Sequence, residues 1–430
     1  MPPMGSYQIR DLAVTPDKEG SWEFLKVSYP ARYGRFGEIK TPDYTFQFNL
    51  NGEIKFIEGR SGNWPHPQEW LKRTIANDWV YYSAGDYSGL YDLLGEYYLP
   101  CLSYPSNSFL GGNLLEDNAV RSAIENWQKL RGEIRGLIRG ALPDGLKDFL
   151  IGVTDWNEES LRLRSDEFHH LIGGPVTVLP PDSRHVDYEV IPVIVADGCL
   201  YNCGFCRVKS GQEFEPRSPK DIIDQIKDLK RFYGRDLHNY NALFLGHHDA
   251  LRAGRELLEL AAETAYETFE FDHSYVKGAF LFLFGSVDSL LHAEEVLFEF
   301  LNSLPFFTYL NIGLESANRA TLALLRKPVS VEMIREAFAR MVDINRKYER
   351  VEVTANFVFG EGLPADHLLA LMDLAGKKPD LPCGKGCLYL SPLVGGEVED
   401  VRKRRELLRQ FNKVKTRSRL PVYLYLIQRL

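Results

Sequence analysis

Cys199, Cys203 and Cys206 lie within one short stretch, Asp197-Gly198-Cys199-Leu200-Tyr201-Asn202-Cys203-Gly204-Phe205-Cys206. Three thiolates spaced C-x3-C-x2-C on a glycine-containing loop suit a soft metal centre. Zinc ordinarily wants a fourth cysteine or histidine nearby, and none stands close in sequence; zinc or plain structural thiols are the alternatives. On a cubane of four irons, three cysteine ligands leave one iron open to a non-protein ligand. A sulfonium compound held there by its amino and carboxylate groups can take one electron and break a carbon–sulfur bond. The other cysteines of the six are Cys101, alone, and the pair Cys383 and Cys387. Those three could hold a second cluster as an electron relay, but the preferred reading is buried small hydrophobes. Cys101 is also a candidate hydrogen-atom donor.

The cysteine loop needs a rigid support, and the sequence around it supplies one. Beyond the turn-rich stretch Gly173-Gly174-Pro175 and Pro180-Pro181-Asp182-Ser183, strand and helix patterns alternate. Strands are predicted at Tyr188–Val195, Ala242–Leu245, Ala279–Phe284, Phe307–Ile312, Val351–Phe359 and Leu388–Ser391. Helices fill the gaps at Pro219–Tyr233, Leu251–Thr268, Ser286–Leu301, Ser330–Lys347, Pro364–Ala375 and Val398–Phe411. Six such units in succession demand a parallel sheet with right-handed crossovers. They can curl into a partial (β/α)6 TIM-like barrel, with reactive groups at the C-terminal strand ends. The fold class is therefore α/β, with an N-terminal α+β accessory domain. The expected division is 1–175 for that domain, 176–187 for a linker, 188–412 for the barrel and 413–430 for a tail closing on it as a strand.

In the N-terminal region, Tyr44, Phe46, Phe48, Ile54 and Phe56 predict a hairpin around Asn51-Gly52. A three-residue loop would pair Phe48 with Ile54 and Phe46 with Phe56, with Gly52 at positive φ beside a bulge. From about 66 to 172 the pattern is mostly helical, clearest over Leu115–Leu142. Tyr81, Tyr82, Tyr87, Tyr91, Tyr97, Tyr98 and Tyr104 crowd into one segment. They are read first as core and domain-interface residues, and second as the lining of a pocket for a flat or apolar ligand.

The chain has 430 residues, 44% hydrophobic and 26% charged, which excludes a disordered or collagen-like chain. Six cysteines are too few for a disulfide scaffold. No apolar run is long enough to span a membrane, and the N-terminus lacks the pattern of a secretory signal. A net charge of −8 weighs against a duplex nucleic-acid surface. The basic stretch 401–420 is the local exception, read as a solvated last helix ahead of a docking site for phosphates or an acidic partner.

The motif C-x3-C-x-aromatic-C, with Phe205 as the aromatic residue, after the first strand of such a barrel resembles the radical S-adenosylmethionine (radical SAM) superfamily over about 188–395. The resemblance implies a [4Fe-4S] cluster on Cys199, Cys203 and Cys206, with S-adenosyl-L-methionine (SAM) on the open iron. Where the superfamily has Gly-Gly-Glu, this chain has Gly246-His247-His248-Asp249. Gly246 fits the pattern, and His247 or Asp249 stands in for the carboxylate that would hold the methionyl amino group. The histidines are also candidate catalytic groups, as proton relay or hydrogen-bond donor. Gly313-Leu314-Glu315-Ser316 resembles the signature of the branch with tRNA methylthiotransferases and coproporphyrinogen-oxidase-like enzymes. It implies Glu315 and Ser316 at the ribose or methionyl group, and Arg326 or Lys327 at the carboxylate. The strand containing Asn356, Phe357 and Val358 resembles the adenine-contacting strand, with Phe357 or Val358 against the base and Asn356 at the ribose.

The function expected from this resemblance is reductive SAM cleavage and hydrogen abstraction from a small-molecule, lipid or peptide substrate. The N-terminal domain would cap the barrel mouth and select that substrate. A low-potential donor such as flavodoxin or ferredoxin would supply electrons, in the reducing, low-oxygen cytoplasm that an exposed cluster requires. The rival readings are an iron–sulfur electron carrier or sensor, and a radical SAM enzyme that modifies RNA.

Overall fold

The computed structural model describes residues 5–60, 62, 64–84, 89–101, 114–201, 203–206, 211–376, 385–394 and 401–430. The N-terminal region is built on an eight-stranded antiparallel meander. Its strands are Tyr7–Ile9 (β1), Leu12–Glu19 (β2), Arg35–Lys40 (β3), Tyr44–Phe48 (β4), Ile54–Gly59 (β5), Trp70–Arg73 (β6), Trp79–Ser83 (β7) and Leu99–Cys101 (β8). The short helix Leu90–Leu94 (α1) precedes β8. Helices Asn118–Leu137 (α2), Asp144–Asp155 (α3) and Glu158–Ile172 (α4) follow. The helical reading of 66–172 is thus corrected for β6, β7 and β8. Aromatic and β-branched side chains on both sides of Asn77, which turns at φ 66°, favour a hairpin there.

The β4–β5 hairpin pairs Phe48 with Ile54 as expected, and Gly52 has φ 84°. Phe46, however, faces Ile57 and not Phe56, because the register shifts by one residue between Gln47 and Phe48. The shift puts Phe46, Phe48, Ile54 and Ile57 in one core. Trp127 of α2 closes on it, with ring centroids 6.2 and 5.1 Å from Phe46 and Phe48. Phe56 is turned to the other face, where the Arg32 guanidinium lies 4.2 Å from its ring centre.

The barrel strands are Ile191–Ile194 (β9), Ala242–Gly246 (β12), Phe280–Gly285 (β13), Phe307–Glu315 (β14), Val351–Gly360 (β15), Leu388–Leu393 (β16) and Val422–Leu424 (β17), with the two-residue pair Ala196–Asp197 (β10) and Glu215–Pro216 (β11) after β9. The seven-stranded sheet is parallel, in the order β17-β16-β15-β14-β13-β12-β9. Every residue of β15 is buried, as befits a strand covered on both faces. The helices are Pro219–Tyr233 (α5), Arg255–Thr268 (α6), Val287–His292 (α7), Glu295–Ser303 (α8), Arg319–Leu324 (α9), Val331–Lys347 (α10), His367–Ala375 (α11) and Val401–Arg417 (α12). Helix α5 shows the local logic: Ser218 caps its first turn, Pro219 follows at N1, and Ile222, Ile226, Leu229 and Phe232 form the buried stripe. The helix predicted over Ser286–Leu301 is two helices, broken at Ala293, whose backbone is extended. The tail does join the sheet, as β17 beside β16. Helix α12 buries Leu407, Phe411 and Val414 and leaves most of its basic residues in solvent.

The N-terminal region packs at the end of the barrel opposite the strand C-termini. The Asn51 side chain donates to Tyr233 O (2.8 Å), Arg35 N donates to Asn239 Oδ1 (2.8 Å), and Lys72 Nζ donates to Asp187 O (2.9 Å). These partners directly precede β9 and β12. These contacts reach the back of the barrel. The linker is also more than a tether. Its turn Pro181–Val186 enters the barrel, where Asp182 accepts hydrogen bonds from Thr354 Oγ1 of β15 and Tyr389 OH of β16, both 2.6 Å. Asp182→Ala leaves two buried hydroxyls without that acceptor and is expected to cost about 2–4 kcal/mol, measurable in chaotrope unfolding. Linker and tail run side by side, with Leu179 N donating to Gln428 O at 2.9 Å.

Candidate active site

The cysteine loop leaves β9 and is gathered at its base by the β10–β11 pair, Asp197 opposite Glu215. Arg217 clamps Asp197 with two hydrogen bonds, 2.8 and 2.7 Å. Gly198 sits at φ 72°, and a Cβ there would lie 1.9 Å from Glu213 O. Gly198→Ala is therefore expected to open the loop, losing iron uptake while circular dichroism still shows a folded barrel. Further along, Gly204 N donates to Leu325 O (2.9 Å), tying the loop to the segment after α9. Burial pushes the Cys199 thiol up and the Cys203 thiol to about 11. Among the described residues, no three His, Cys, Asp or Glu side chains are gathered closely enough for one metal ion. Three thiolates that each bind a different iron of a cluster need no such convergence.

Cys199, Cys203 and Cys206 line one cavity, open at the C-terminal strand ends. Phe205, His248, Asp249, Glu315, Lys327, Asn356 and Val358 line it too. Asp249 is buried; its Oδ1 accepts from Ser286 N (2.9 Å) and Ser289 Oγ (2.5 Å). Its Oδ2 is buried with no hydrogen-bond partner among the described residues. Burial raises the Asp249 carboxyl, against the pull of Ser289 and Ser286. Glu315, at φ 64°, is half-buried with Lys327 Nζ 3.8 Å away. Burial raises its carboxyl and the lysine opposes that. Lys327 lies over the Tyr201 ring, 4.9 Å from its centre, and is the one cation among the described lining residues.

Several expected residues are placed elsewhere. Strand alternation turns Asn356 and Val358 to the cavity and sends Phe357 into the core. Ser316 is fully buried and bonds to His367 Nδ1 (2.9 Å), while His367 Nε2 bonds to Val358 O (2.8 Å). Ser316 therefore ties the end of β14 to α11, whose His367 reaches on to β15, and does not line the cavity. Arg326 packs against Gly204, leaving Lys327 as the mouth's cation. Gly246 lies outside the lining, where a Cβ would meet Ile194 Cδ1 at 2.6 Å. His247 is behind His248, stacked with ring centroids 4.3 Å apart. Burial, then His247, lowers His248 to about 4, so it is neutral near pH 7. Asn356 and Asn311 exchange amide hydrogen bonds, 2.6 and 3.1 Å, leaving Asn356 one N–H free of that pair.

Cys101 and Cys387 do not line the mouth. Cys101, on β8, is pushed to about 12 by burial and then by Glu69. Cys387 is pushed to about 12 by burial and then by Glu352, beside Tyr389 and Tyr425. The structure brings these two into no common site, and Cys383 lies outside the described residues. Residues missed by sequence reasoning include Tyr201, Ser286, Tyr425 and Ile427. Tyr201 sits inside the cysteine motif itself, which was the available signal. The tail pair carried none, because only tertiary packing brings it to the mouth.

Residues 193–375 match the model of the radical SAM superfamily. The chain thus carries a radical SAM domain, the module of an enzyme class that performs SAM-dependent radical chemistry, and the identification stops at the superfamily. Among solved structures, it is similar to SuiB of Streptococcus suis, with 10% identity, a TM-score of 0.37, and coverage of 90% of this chain and 71% of that one. It is also similar to coproporphyrinogen III oxidase (HemN) from Escherichia coli, with 13% identity, a TM-score of 0.36, and coverage of 61% and 56%. The cobalamin-dependent SAM radical enzyme OxsB shares 14% identity at a TM-score of 0.34 over 54% of this chain, which spans 31% of OxsB. No curated protein matches the chain. No helix among the described residues is long and apolar enough to cross a membrane.

Proposed function

We propose that Cys199, Cys203 and Cys206 hold a [4Fe-4S] cluster and that SAM binds beside it in the mouth. Bound there, the cluster supplies the electron that cleaves SAM to methionine and a 5′-deoxyadenosyl radical able to take hydrogen from a substrate. The observation that carries this reading is the meeting of all three thiols with an unpaired carboxylate oxygen, Asp249 Oδ2, in one cavity. That oxygen suits the methionyl ammonium, and Lys327 suits the carboxylate. Glu315 accepts from a ribose hydroxyl, with Asn356 beside it, and Val358 packs the adenine. His248, held neutral, offers a hydrogen bond or proton position to the substrate.

The substrate is a small molecule, lipid or peptide. Support comes from the largely apolar wall, including Val178, Phe284, Leu393, Val394 and Ile427; among the described lining residues Lys327 is the one cation, too little for a phosphate backbone. In this reading residues 1–175 are an accessory domain at the back of the barrel, 176–187 its linker, 188–412 the catalytic barrel and 413–430 the closing tail. A flavodoxin- or ferredoxin-type donor reduces the cluster, in a reducing compartment such as the cytoplasm.

The test is electron paramagnetic resonance of the anaerobically reconstituted, dithionite-reduced chain. Adding SAM is expected to shift the cluster signal in the wild type and to shift it less in Asp249→Asn. A signal indifferent to SAM would count against the reading.

A further inference from the structure

The back of the barrel holds a second cavity, between the N-terminal sheet and residues 187–189. It is separate from the mouth: Asp187, Glu189 and Asn239, which border it, precede β9 and β12 at the opposite end of the sheet. Phe24, Phe56, Trp70, Tyr82 and Tyr98 give it an aromatic lining. Trp70 and Tyr82 stack at 5.1 Å with planes 3° apart, and Tyr98 meets Trp70 edge-on at 4.6 Å. These rings include tyrosines of the crowded segment that the mouth does not use.

Three further observations define what would fit. The Trp70 side chain is buried, with 8% of the residue exposed, and its indole N–H has no hydrogen-bond partner among the described residues. A buried donor left unmet is costly, and a ligand acceptor would satisfy it. The cations on the wall are already neutralised: Lys26 by Glu96 and Asp187, both 2.9 Å, Lys55 by Glu189 at 3.0 Å, Lys72 also by Glu189, Arg32 by Glu58 and Arg35 by Asp17. A charged ligand would have to break one of these pairs. Finally, the loop 21–34 covers the cavity and is pinched at its base, where Gly20 N donates to Gly34 O and Ser21 N to Arg32 O, both 2.7 Å. Such compact loops with joined ends commonly serve binding. Phe24 and Tyr33 of this loop face each other at 4.3 Å, while Leu25 and Tyr29 stay exposed.

We propose that this cavity is a second ligand site, which takes an uncharged, planar heteroaromatic molecule that presents a hydrogen-bond acceptor to the Trp70 indole N–H. Such a ligand matches flat rings with flat rings and demands no counter-ion. The proposal does not depend on the reading of the mouth.

The experiment titrates the full chain with lumichrome, a neutral fluorescent tricycle with ring carbonyls, and follows quenching of its emission. Saturable quenching is expected. Trp70→Phe keeps the ring, loses the donor and should bind about tenfold more weakly. Val27→Trp, from a partly exposed lining position, should fill the cavity and abolish binding. The variant with Cys199, Cys203 and Cys206 all replaced by alanine should bind as the wild type does. The proposal is overturned by absence of saturation up to the solubility of the probe, by equal binding in Trp70→Phe and wild type, by unchanged binding in Val27→Trp, or by loss of binding in the cysteine variant.

Discussion

Replacing Cys199, Cys203 and Cys206 together by alanine is expected to abolish iron binding by the proposed cluster and to reduce SAM cleavage to background. This is the largest effect expected anywhere in the chain. The three thiols share one loop, and that loop is held independently of them by the Asp197–Arg217 pair and the Gly204–Leu325 hydrogen bond. The variant should therefore fold, so that loss of iron reports on ligation alone. Iron and sulfide analysis after anaerobic reconstitution makes the check. The same measurement decides the standing of the remaining cysteines. A variant that holds no iron leaves Cys101, Cys383 and Cys387 as plain thiols, whereas one that retains a stoichiometric share would assign them a cluster of their own.

The second large effect is expected at Lys327. Its side chain is 4% exposed, so its charge is held away from bulk water and is costly unless paired. Among the described residues its carboxylate partner is Glu315, at 3.8 Å, too long for a strong direct hydrogen bond and suited to an ammonium that also serves a ligand carboxylate. Lys327→Met keeps the side-chain length and its packing on Tyr201 but removes the charge. The loss of a charge-assisted hydrogen bond corresponds to about 1.5–3 kcal/mol, or roughly a 10- to 150-fold rise in the KM for SAM. The Glu315 carboxyl, already raised by burial, should then hold its proton more firmly still. A lysine that merely supported Tyr201 would instead lower thermal stability while leaving SAM affinity unchanged, so equilibrium dialysis with SAM separates the roles.

Much of this site is legible in sequence because it depends on local patterns. The cysteine spacing and the helical pattern of Pro219–Tyr233 are short-range signals that tertiary packing had no reason to override. The errors fall where a residue's partner lies far away in the chain. Strand alternation makes Asn356 and Val358 share a face, but the register with β14 and β16 decides that this face is the mouth, and so which of the alternatives Phe357 and Val358 faces it. Ser316 looked like a ligand contact, yet His367, 51 residues on, claims its hydroxyl. Arg326 and Lys327 are equivalent as cations, and only the turn at Arg326, with φ 52°, sends one beneath the cysteine loop and the other into the cavity. The docking of the N-terminal region at the back of the barrel rests on contacts such as Asn51 with Tyr233, 182 residues apart. No periodicity encodes them.

Radical SAM chemistry in this chain is measured by anaerobic turnover of the reconstituted protein with SAM and dithionite, with 5′-deoxyadenosine and methionine quantified by chromatography. Both products are expected above the no-enzyme background, in equal amounts, and neither from the triple-alanine variant. An iron-loaded wild-type chain that forms no 5′-deoxyadenosine under these conditions would contradict that expectation.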